Sequence, residues 1–119
     1  FGTGKYFEVG DNSPTNQVTQ SFYGIWDKAE ASLSAFGRSD LLQQSIVKEH
    51  NLFGFELRET STYNIDWTTH SGWYMDLINT DGGNTDNLGE RQVSNSVVRN
   101  GKIIFTTLLP SNDPYSPYG

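Results

Sequence analysis

The sequence contains no cysteine, a single methionine and only two histidines. Without cysteine the chain has no disulfide scaffold, no thiolate metal site and no cysteine nucleophile, although this does not fix its cellular compartment. A zinc site needs three or four ligands, and neither His50 nor His70 has a second histidine at ligand spacing. These absences argue against zinc and against thiol chemistry.

Long apolar runs are also missing. No stretch is long and apolar enough to cross a bilayer. The first residues lack the basic region and the apolar core of a signal peptide. We therefore expect the chain to begin part-way through a larger protein or to be a mature fragment.

Charge is sparse and mostly negative. Charged residues make up 18% of the chain, aromatic residues make up 13%, and the net charge is −6. An acidic surface repels phosphate groups, which argues against nucleic acid and anionic membranes as partners. The aromatic content is too high for a disordered tail and is typical of a single β domain with long loops.

The sharpest local signal is Asn100-Gly101 between two β-prone runs, which predicts a two-residue hairpin turn. This turn pairs Arg99 with Lys102, Val98 with Ile103 and Val97 with Ile104. Both faces of such a hairpin are apolar, so we expect both to be covered, as in a sandwich, a helix-covered sheet or a stack of propeller blades.

Other strands are predicted from β-prone runs and from alternating apolar residues. They lie at residues 5–9, 21–27, 53–60, 63–67 and 72–77, the last with Trp73, Met75 and Leu77 on one face. Residues 40–49 fit a helix or a strand equally well, and residues 28–37 fit one short helix or a structured loop. The predicted class is mainly β with antiparallel sheets.

Aromatic and glycine motifs offer candidate binding sites. Gly2-Thr3-Gly4 lacks the third glycine and the helix of a phosphate-binding loop, so a strand-end turn is favoured. Trp26, Trp67 and Trp73 could form a sugar-binding platform, but large aromatic residues more often fill cores. We assign Trp26 and Trp73 to the core, and assign Trp67 there less firmly because its neighbours are polar.

Acidic residues offer further candidates. Glu90-Arg91 fits a structural pair, a Glu90 carboxylate that binds a backbone amide, or a solvated pair of little energetic value. Asp81, Asn84 and Asp86 do not have the alternate spacing of a calcium loop of the EF-hand type. Two acid–base pairs, Glu49 with His50 and Asp66 with His70, lack a nucleophile elbow and an oxyanion hole, so no catalytic residue is assigned.

Six motifs occur in an order that resembles a known family. They are Phe1-Gly2-Thr3-Gly4-Lys5-Tyr6, residues 19–27, the leucine-glutamine stretch at 40–44, Gly72-Trp73-Tyr74-Met75-Asp76-Leu77, Gly89-Glu90-Arg91 and residues 105–111. The set resembles the C-terminal β-propeller region of the type IV pilus tip-associated adhesin and assembly family, PilC/PilY. The resemblance runs over nearly the whole chain.

The resemblance implies a modified β-propeller similar to quinoprotein dehydrogenases, of which residues 1–119 supply one to two blades. It implies a non-enzymatic protein at the pilus tip or outer membrane, exported through the periplasm. Such proteins support pilus assembly, oppose retraction and mediate attachment, with pilus subunits or minor pilins and a surface receptor as partners. The family is reported to bind calcium through an Asp-rich loop, which we do not find here. Its usual cysteine after Pro-Ser-x-Asp-Pro is replaced by Tyr115.

Two other functions fit the sequence, a carbohydrate-binding module and a fragment of a quinoprotein-type dehydrogenase. The candidate recognition loops are residues 11–16 and 79–87, since binding residues usually lie on loops of a rigid scaffold. Unpaired blade edges would also predict strand pairing between copies of the chain.

Overall fold

The computed structural model describes residues 1–13, 15, 18–29, 35–80, 87–113 and 115. These residues form a four-stranded sheet, a separate two-stranded hairpin and one short 3₁₀ turn at Arg38–Asp40. The strands are β1 (Ser21–Ile25), β2 (Leu42–Leu52), β3 (Phe55–Thr60), β4 (Gly72–Asn79), β5 (Val97–Arg99) and β6 (Lys102–Ile104). Among these residues no helix is long and apolar enough to cross a membrane.

The larger sheet has the order β1-β4-β2-β3. β1 and β4 are antiparallel, as are β2 and β3, whereas β2 and β4 run parallel. A parallel pair needs a long connection, and here β3 and the following loop provide it. The predicted mainly β class with antiparallel pairing is confirmed, with this one parallel pair as an addition.

The ambiguous stretch at residues 40–49 is mostly strand β2. Its first half pairs with β4 and its second half with β3, so both edges of the strand are used. The following turn at Phe53-Gly54 has φ values of 51° and 82°. Two positive φ values are what a tight hairpin turn of the primed type requires. The strand predicted at 53–60 therefore begins two residues later, at Phe55.

Two predicted strands are wrong, at residues 5–9 and 63–67. In the first, the carboxylate of Asp11 accepts hydrogen bonds from the backbone amides of Phe7 and Glu8, each at 2.9 Å. In the second, Asp66 organises a turn described below. Local side-chain bonds to the backbone compete with strand pairing in both places. Residues 30–34 of the helix-or-loop segment lie outside the described residues.

The predicted hairpin is confirmed as β5 and β6 with the expected register. Asn100 and Gly101 have φ values of 51° and 71°, as the turn requires. The described residues do not cover the faces of this hairpin, because Val97, Val98, Ile103 and Ile104 are all between 42% and 73% exposed. We call these four side chains the hairpin patch.

The core lies on the larger sheet and holds Phe22, Leu41, Ile46, Met75 and Leu77. Met75 and Leu77 are buried on one face of β4, as predicted, and Trp73 packs against them. Phe105, just after β6, stacks on Phe22 with ring centroids 4.2 Å apart. This stack joins the hairpin to the sheet.

Candidate functional site

The Gly2-Thr3-Gly4 segment extends the edge of the larger sheet. Gly2 forms a bridge with Phe22, and the amide of Thr3 donates to the carbonyl of Ser21 at 2.8 Å. At Gly4, φ is 134° and a Cβ would lie 2.5 Å from Cβ of Arg91. These glycines permit close packing, but residues 3 and 4 form no turn, so the predicted strand-end turn is not found there.

Glu90 is the buried centre of a charge cluster whose other charged members, Arg58 and Glu49, are partly exposed. Only 6% of it is exposed, and its carboxylate forms an ion pair with Arg58 from β3. The hydroxyl of Thr107 donates to Glu90 at 2.5 Å. Arg58 also donates to Glu49 on β2 at 2.7 Å, and the amide group of Asn79 donates to Glu49 at 2.8 Å. The cluster therefore ties β2, β3 and β4 to the C-terminal segment.

The electrostatics of this cluster favour a structural role. Burial lowers the pKa of Arg58, but hydrogen bonds and charge attraction from Glu90 and Glu49 outweigh burial, so the net pKa of Arg58 is raised above its usual value. The guanidinium is thus held charged between two carboxylates. A cavity of about 170 Å³ lies beside them. Since Glu49 and Glu90 both hold Arg58, they act here as its ion-pair partners.

Arg91 has different partners from Glu90. Its guanidinium donates to the carbonyl oxygens of Gly89 at 2.9 Å and Lys5 at 3.0 Å, and its backbone pairs with Leu108. It is also only 6% exposed. The interpretation of Glu90-Arg91 as a solvated pair is therefore wrong. Each residue anchors the C-terminal segment through its own contacts.

One concavity among the described residues is aromatic. It has a volume of about 530 Å³ and is lined by Gly24, Ile25, Trp26, Trp67 and Trp73. We call these five residues the aromatic corner. The rings of Trp26 and Trp67 meet edge to face, with centroids 5.3 Å apart and planes at 84°.

The two exposed rings of the aromatic corner project into solvent. Trp26 and Trp67 are each 47% exposed. The prediction that Trp26 lies in the core is therefore wrong, whereas Trp73 does pack against the core. Trp26 lies just beyond the last residue of β1, where the sheet no longer covers the side chain.

Two backbone features hold the β-sheet side of the aromatic corner. The amide of Trp26 donates to the carbonyl of Ser71 at 2.9 Å. A Cβ at Gly24 would lie 2.6 Å from Cε2 of Trp73, so only glycine lets this indole pass across β1. Trp73 also stacks on Phe22 at 5.8 Å. The floor of the corner is therefore continuous with the core.

A turn fixes Trp67 on the other side. The carboxylate of Asp66 accepts from the amide of Thr68 at 3.0 Å and from its hydroxyl at 2.6 Å. The carbonyl of Asp66 accepts from the amide of His70 at 2.9 Å. The Thr68 hydroxyl is the main cause of the lowered pKa of Asp66, followed by the Thr68 amide.

A cluster that the sequence did not reveal lies on the face of β4 opposite to Trp73, Met75 and Leu77. Arg38 forms an ion pair with Asp76, and its guanidinium lies 4.0 Å from the centroid of Tyr74. The hydroxyl of Ser21 donates to Asp76 at 2.5 Å. Arg38 and Asp76 are 38 residues apart, so no local pattern connects them. The cluster secures the 3₁₀ turn on the sheet.

The remaining candidates are dispersed. His50 lies 3.6 Å from Glu59, and the ring of His70 hydrogen-bonds the hydroxyl of Thr69 at 2.9 Å. Within the described residues no three metal-ligating side chains are grouped. The calcium candidates Asp81, Asn84 and Asp86, and parts of both candidate recognition loops, lie outside the described residues.

The chain is similar to proteins of type IV pili. It is 29% identical to a type IV pilus biogenesis factor PilY1 homolog of Xylella fastidiosa, over 92% of this chain and 7% of that protein. It is 30% identical to the type IV pilus biogenesis factor PilY1 of Pseudomonas aeruginosa, over 96% of this chain and 11% of that protein. No family model matches the chain.

A solved structure gives the same result at the level of the fold. The crystal structure of the Pseudomonas aeruginosa PilY1 C-terminal domain superimposes with a TM-score of 0.77 at 29% identity. The match covers 92% of this chain and 25% of that one. The chain therefore spans about a tenth or less of the length of the curated relatives and a quarter of the solved domain.

Proposed function

Because the chain is a homologue of the PilY1 type IV pilus biogenesis factors and matches their C-terminal β-propeller domain, we propose that residues 1–119 form one to two blades of such a propeller. In this proposal they are a single segment of a larger, non-enzymatic protein that supports pilus assembly and surface attachment. The cluster around Glu90 ties β2, β3 and β4 of this segment to Thr107.

The hairpin patch is the observation that carries this proposal. Its four aliphatic side chains lie on both faces of a two-stranded sheet and are about half exposed. Full burial of one Val or Ile side chain contributes about 1.5–3 kcal/mol. Covering the exposed half of all four would therefore add on the order of 3–6 kcal/mol. Neighbouring propeller strands would provide such a cover.

The free edge of the larger sheet supports the same proposal. The N-terminal segment covers the outer edge of β1, since the amide of Tyr23 donates to the carbonyl of Phe1 at 2.7 Å. Strand β3 lies at the other end of the sheet, and Phe55 and Leu57 on it are exposed. An uncovered edge with apolar side chains is a site for pairing with further strands.

The same homology supports a proposal for location and partners. We propose that the protein lies on the bacterial cell surface, at the pilus tip or outer membrane, with pilus subunits or minor pilins as partners. A surface receptor is the proposed partner for attachment. The loops at residues 11–16 and 79–87 are the proposed contact regions, because loops on a rigid scaffold commonly carry recognition.

A chimera tests the proposal. The matching section of Pseudomonas aeruginosa PilY1 would be replaced by residues 1–119, and the chimera would be expressed in a strain that lacks PilY1. We expect surface pili and twitching motility to be restored. A second chimera with Val98→Asp and Ile103→Asp should be secreted poorly or fail to restore pili, because two charges would enter the proposed blade contact.

Lys102→Glu, at the exposed end of β6, is the matched control, since it changes charge on the same hairpin outside the hairpin patch. It should behave like the parent chimera. A stable, secreted parent chimera that restores no pili would contradict the proposed role. Equal activity of the double variant would contradict the proposed contact.

A further inference from the structure

We propose that the aromatic corner binds the ring of a neutral pyranose sugar. This inference is independent of the proposed role in pilus assembly, since it rests on the geometry of the aromatic corner alone. The volume of about 530 Å³ falls in the range of ligand pockets, about 300–1,000 Å³. The class of ligand is inferred from the aromatic rings and hydrogen-bond donors that line the aromatic corner.

The first argument is the exposure of flat aromatic surface. Trp26 and Trp67 each keep 47% of their surface in water, although indoles usually contribute most when buried. Their planes are nearly perpendicular, at 84°. A pyranose ring has an apolar C–H face and a polar hydroxyl rim. One indole can therefore stack on the apolar face while the other borders the rim.

The second argument is the presence of hydrogen-bond donors beside the rings. The indole N–H groups of Trp26 and Trp67 have no acceptor among the described residues, and an indole N–H is a donor only. The ammonium group of Lys28 lies 5.0 Å from the centroid of Trp26 and forms no ion pair with any described residue. These groups suit sugar hydroxyl and ring oxygens as acceptors.

The third argument separates a sugar from a covering protein strand. The hairpin patch is aliphatic, which suits protein contact. The aromatic corner is concave, and a purely apolar cover would leave its donors without partners, at a cost in free energy. A net charge of −6 for the chain disfavours an acidic sugar. A neutral pyranose satisfies both conditions.

The fourth argument is rigidity. The backbone of Trp26 is bonded to Ser71, and Trp67 belongs to the turn held by Asp66. Two independent segments therefore fix the two rings. A site that is ordered before binding loses less entropy when the ligand arrives.

Tryptophan emission during titration with methyl pyranosides tests this proposal. The methyl glycosides of glucose, galactose and mannose would be added to the 119-residue chain, with glycerol as an acyclic polyol control. We expect at least one glycoside to change the emission saturably in the millimolar range, and glycerol to give no saturable change. Trp67→Ala should weaken binding at least tenfold, and Lys28→Met several-fold.

Phe7→Ala is the matched control variant, because Phe7 is 92% exposed and belongs to another segment. It should bind like the parent. Circular dichroism would verify the fold of each variant, and Trp67→Phe should retain part of the binding if a ring face is the contact. No saturable change with any glycoside up to about 100 mM would overturn the proposal.

The chimera separates this proposal from the proposed function. If neighbouring protein covers the aromatic corner, the isolated chain binds the glycoside but the chimera does not, and the assignment of a sugar site is refuted. If the chimera binds the glycoside but restores no pili, the sugar site stands and the role in pilus assembly fails.

Discussion

Phe22 is the residue whose removal should damage the fold most. It is 1% exposed in the middle of β1, opposite Met75 of β4. Its ring stacks on Phe105 at 4.2 Å and on Trp73 at 5.8 Å. Phe22→Ala therefore opens a cavity and also removes the contact that joins the hairpin to the sheet.

The expected cost is about 3–5 kcal/mol, the usual range for a buried Phe changed to Ala. A chain of 119 residues has a total stability of roughly 6–18 kcal/mol at about 0.05–0.15 kcal/mol per residue. The substitution should thus remove a large share of the free energy of unfolding. A fall in the melting temperature of about 10–20 °C would follow.

Urea denaturation followed by tryptophan emission and by circular dichroism measures this loss. Phe7→Ala is the control, because Phe7 is 92% exposed and should change the midpoint little. The structural reasoning fails if Phe22→Ala unfolds at the same urea concentration as the parent, or if Phe7→Ala is equally damaging.

Three further predictions concern the charge cluster, the turn and the hairpin. Glu90→Gln should lower the free energy of unfolding by about 1–3 kcal/mol, because Arg58 loses its buried partner. Glu8→Gln, which removes one charge of an exposed ion pair, should lower it little. Equal urea midpoints for the two variants would contradict this prediction. The folded-state pKa of Asp66 lies below the usual 3.8, so its stabilisation is present above that value and is lost as pH falls through the folded pKa. A pH titration of tryptophan emission should show this step in the parent and not in Asp66→Asn; the same step in both would refute the assignment. The chain should self-associate in light scattering at high concentration, and Val98→Asp with Ile103→Asp should reduce this; an entirely monomeric parent would argue against it.

The part of the fold that the sequence predicts well is the part set by local chemistry. Asn100-Gly101 specifies its own turn, and this turn fixes the register of β5 and β6. The alternation in β4 likewise predicts which residues are buried, since Met75 and Leu77 are both in the core.

Other elements depend on partners far along the chain. Residues 40–49 have apolar spacing that fits either helix or strand, and β2 forms because two strands pair with it. Phe53-Gly54 forms a tight turn although Phe rarely takes positive φ. No local sequence pattern predicts either the strand β2 or the turn at Phe53-Gly54.

The candidate sites show the same division. The sequence predicts a strand-end turn at Gly2-Thr3-Gly4 and does not indicate the packing role of Gly2 and Gly4, which depends on Gln92 and Arg91 far along the chain. The ion pair of Glu90 with Arg58 joins residues 32 positions apart, so a sequence pattern could not indicate it. Trp26 is exposed because β1 ends at Ile25, one residue before it. The presence of an aromatic residue does not by itself indicate where a strand ends, so the sequence could not predict this exposure.

The most direct test of the proposed propeller segment is the accessibility of the hairpin patch. The chain has no cysteine, so Val98→Cys provides one thiol at a side chain that is 73% exposed. The rate of maleimide labelling of the cysteine at position 98 would be measured by mass spectrometry of the peptide that contains it. This rate would be compared between the isolated chain and the PilY1 chimera. Ser39→Cys, at an exposed position of the 3₁₀ turn, is the control.

If neighbouring blades cover the hairpin patch, Val98→Cys should react rapidly in the isolated chain and at least tenfold more slowly in the chimera, while Ser39→Cys reacts similarly in both. Equal rates for Val98→Cys in the isolated chain and in a folded chimera would contradict the proposal that these residues contribute blades to a larger propeller.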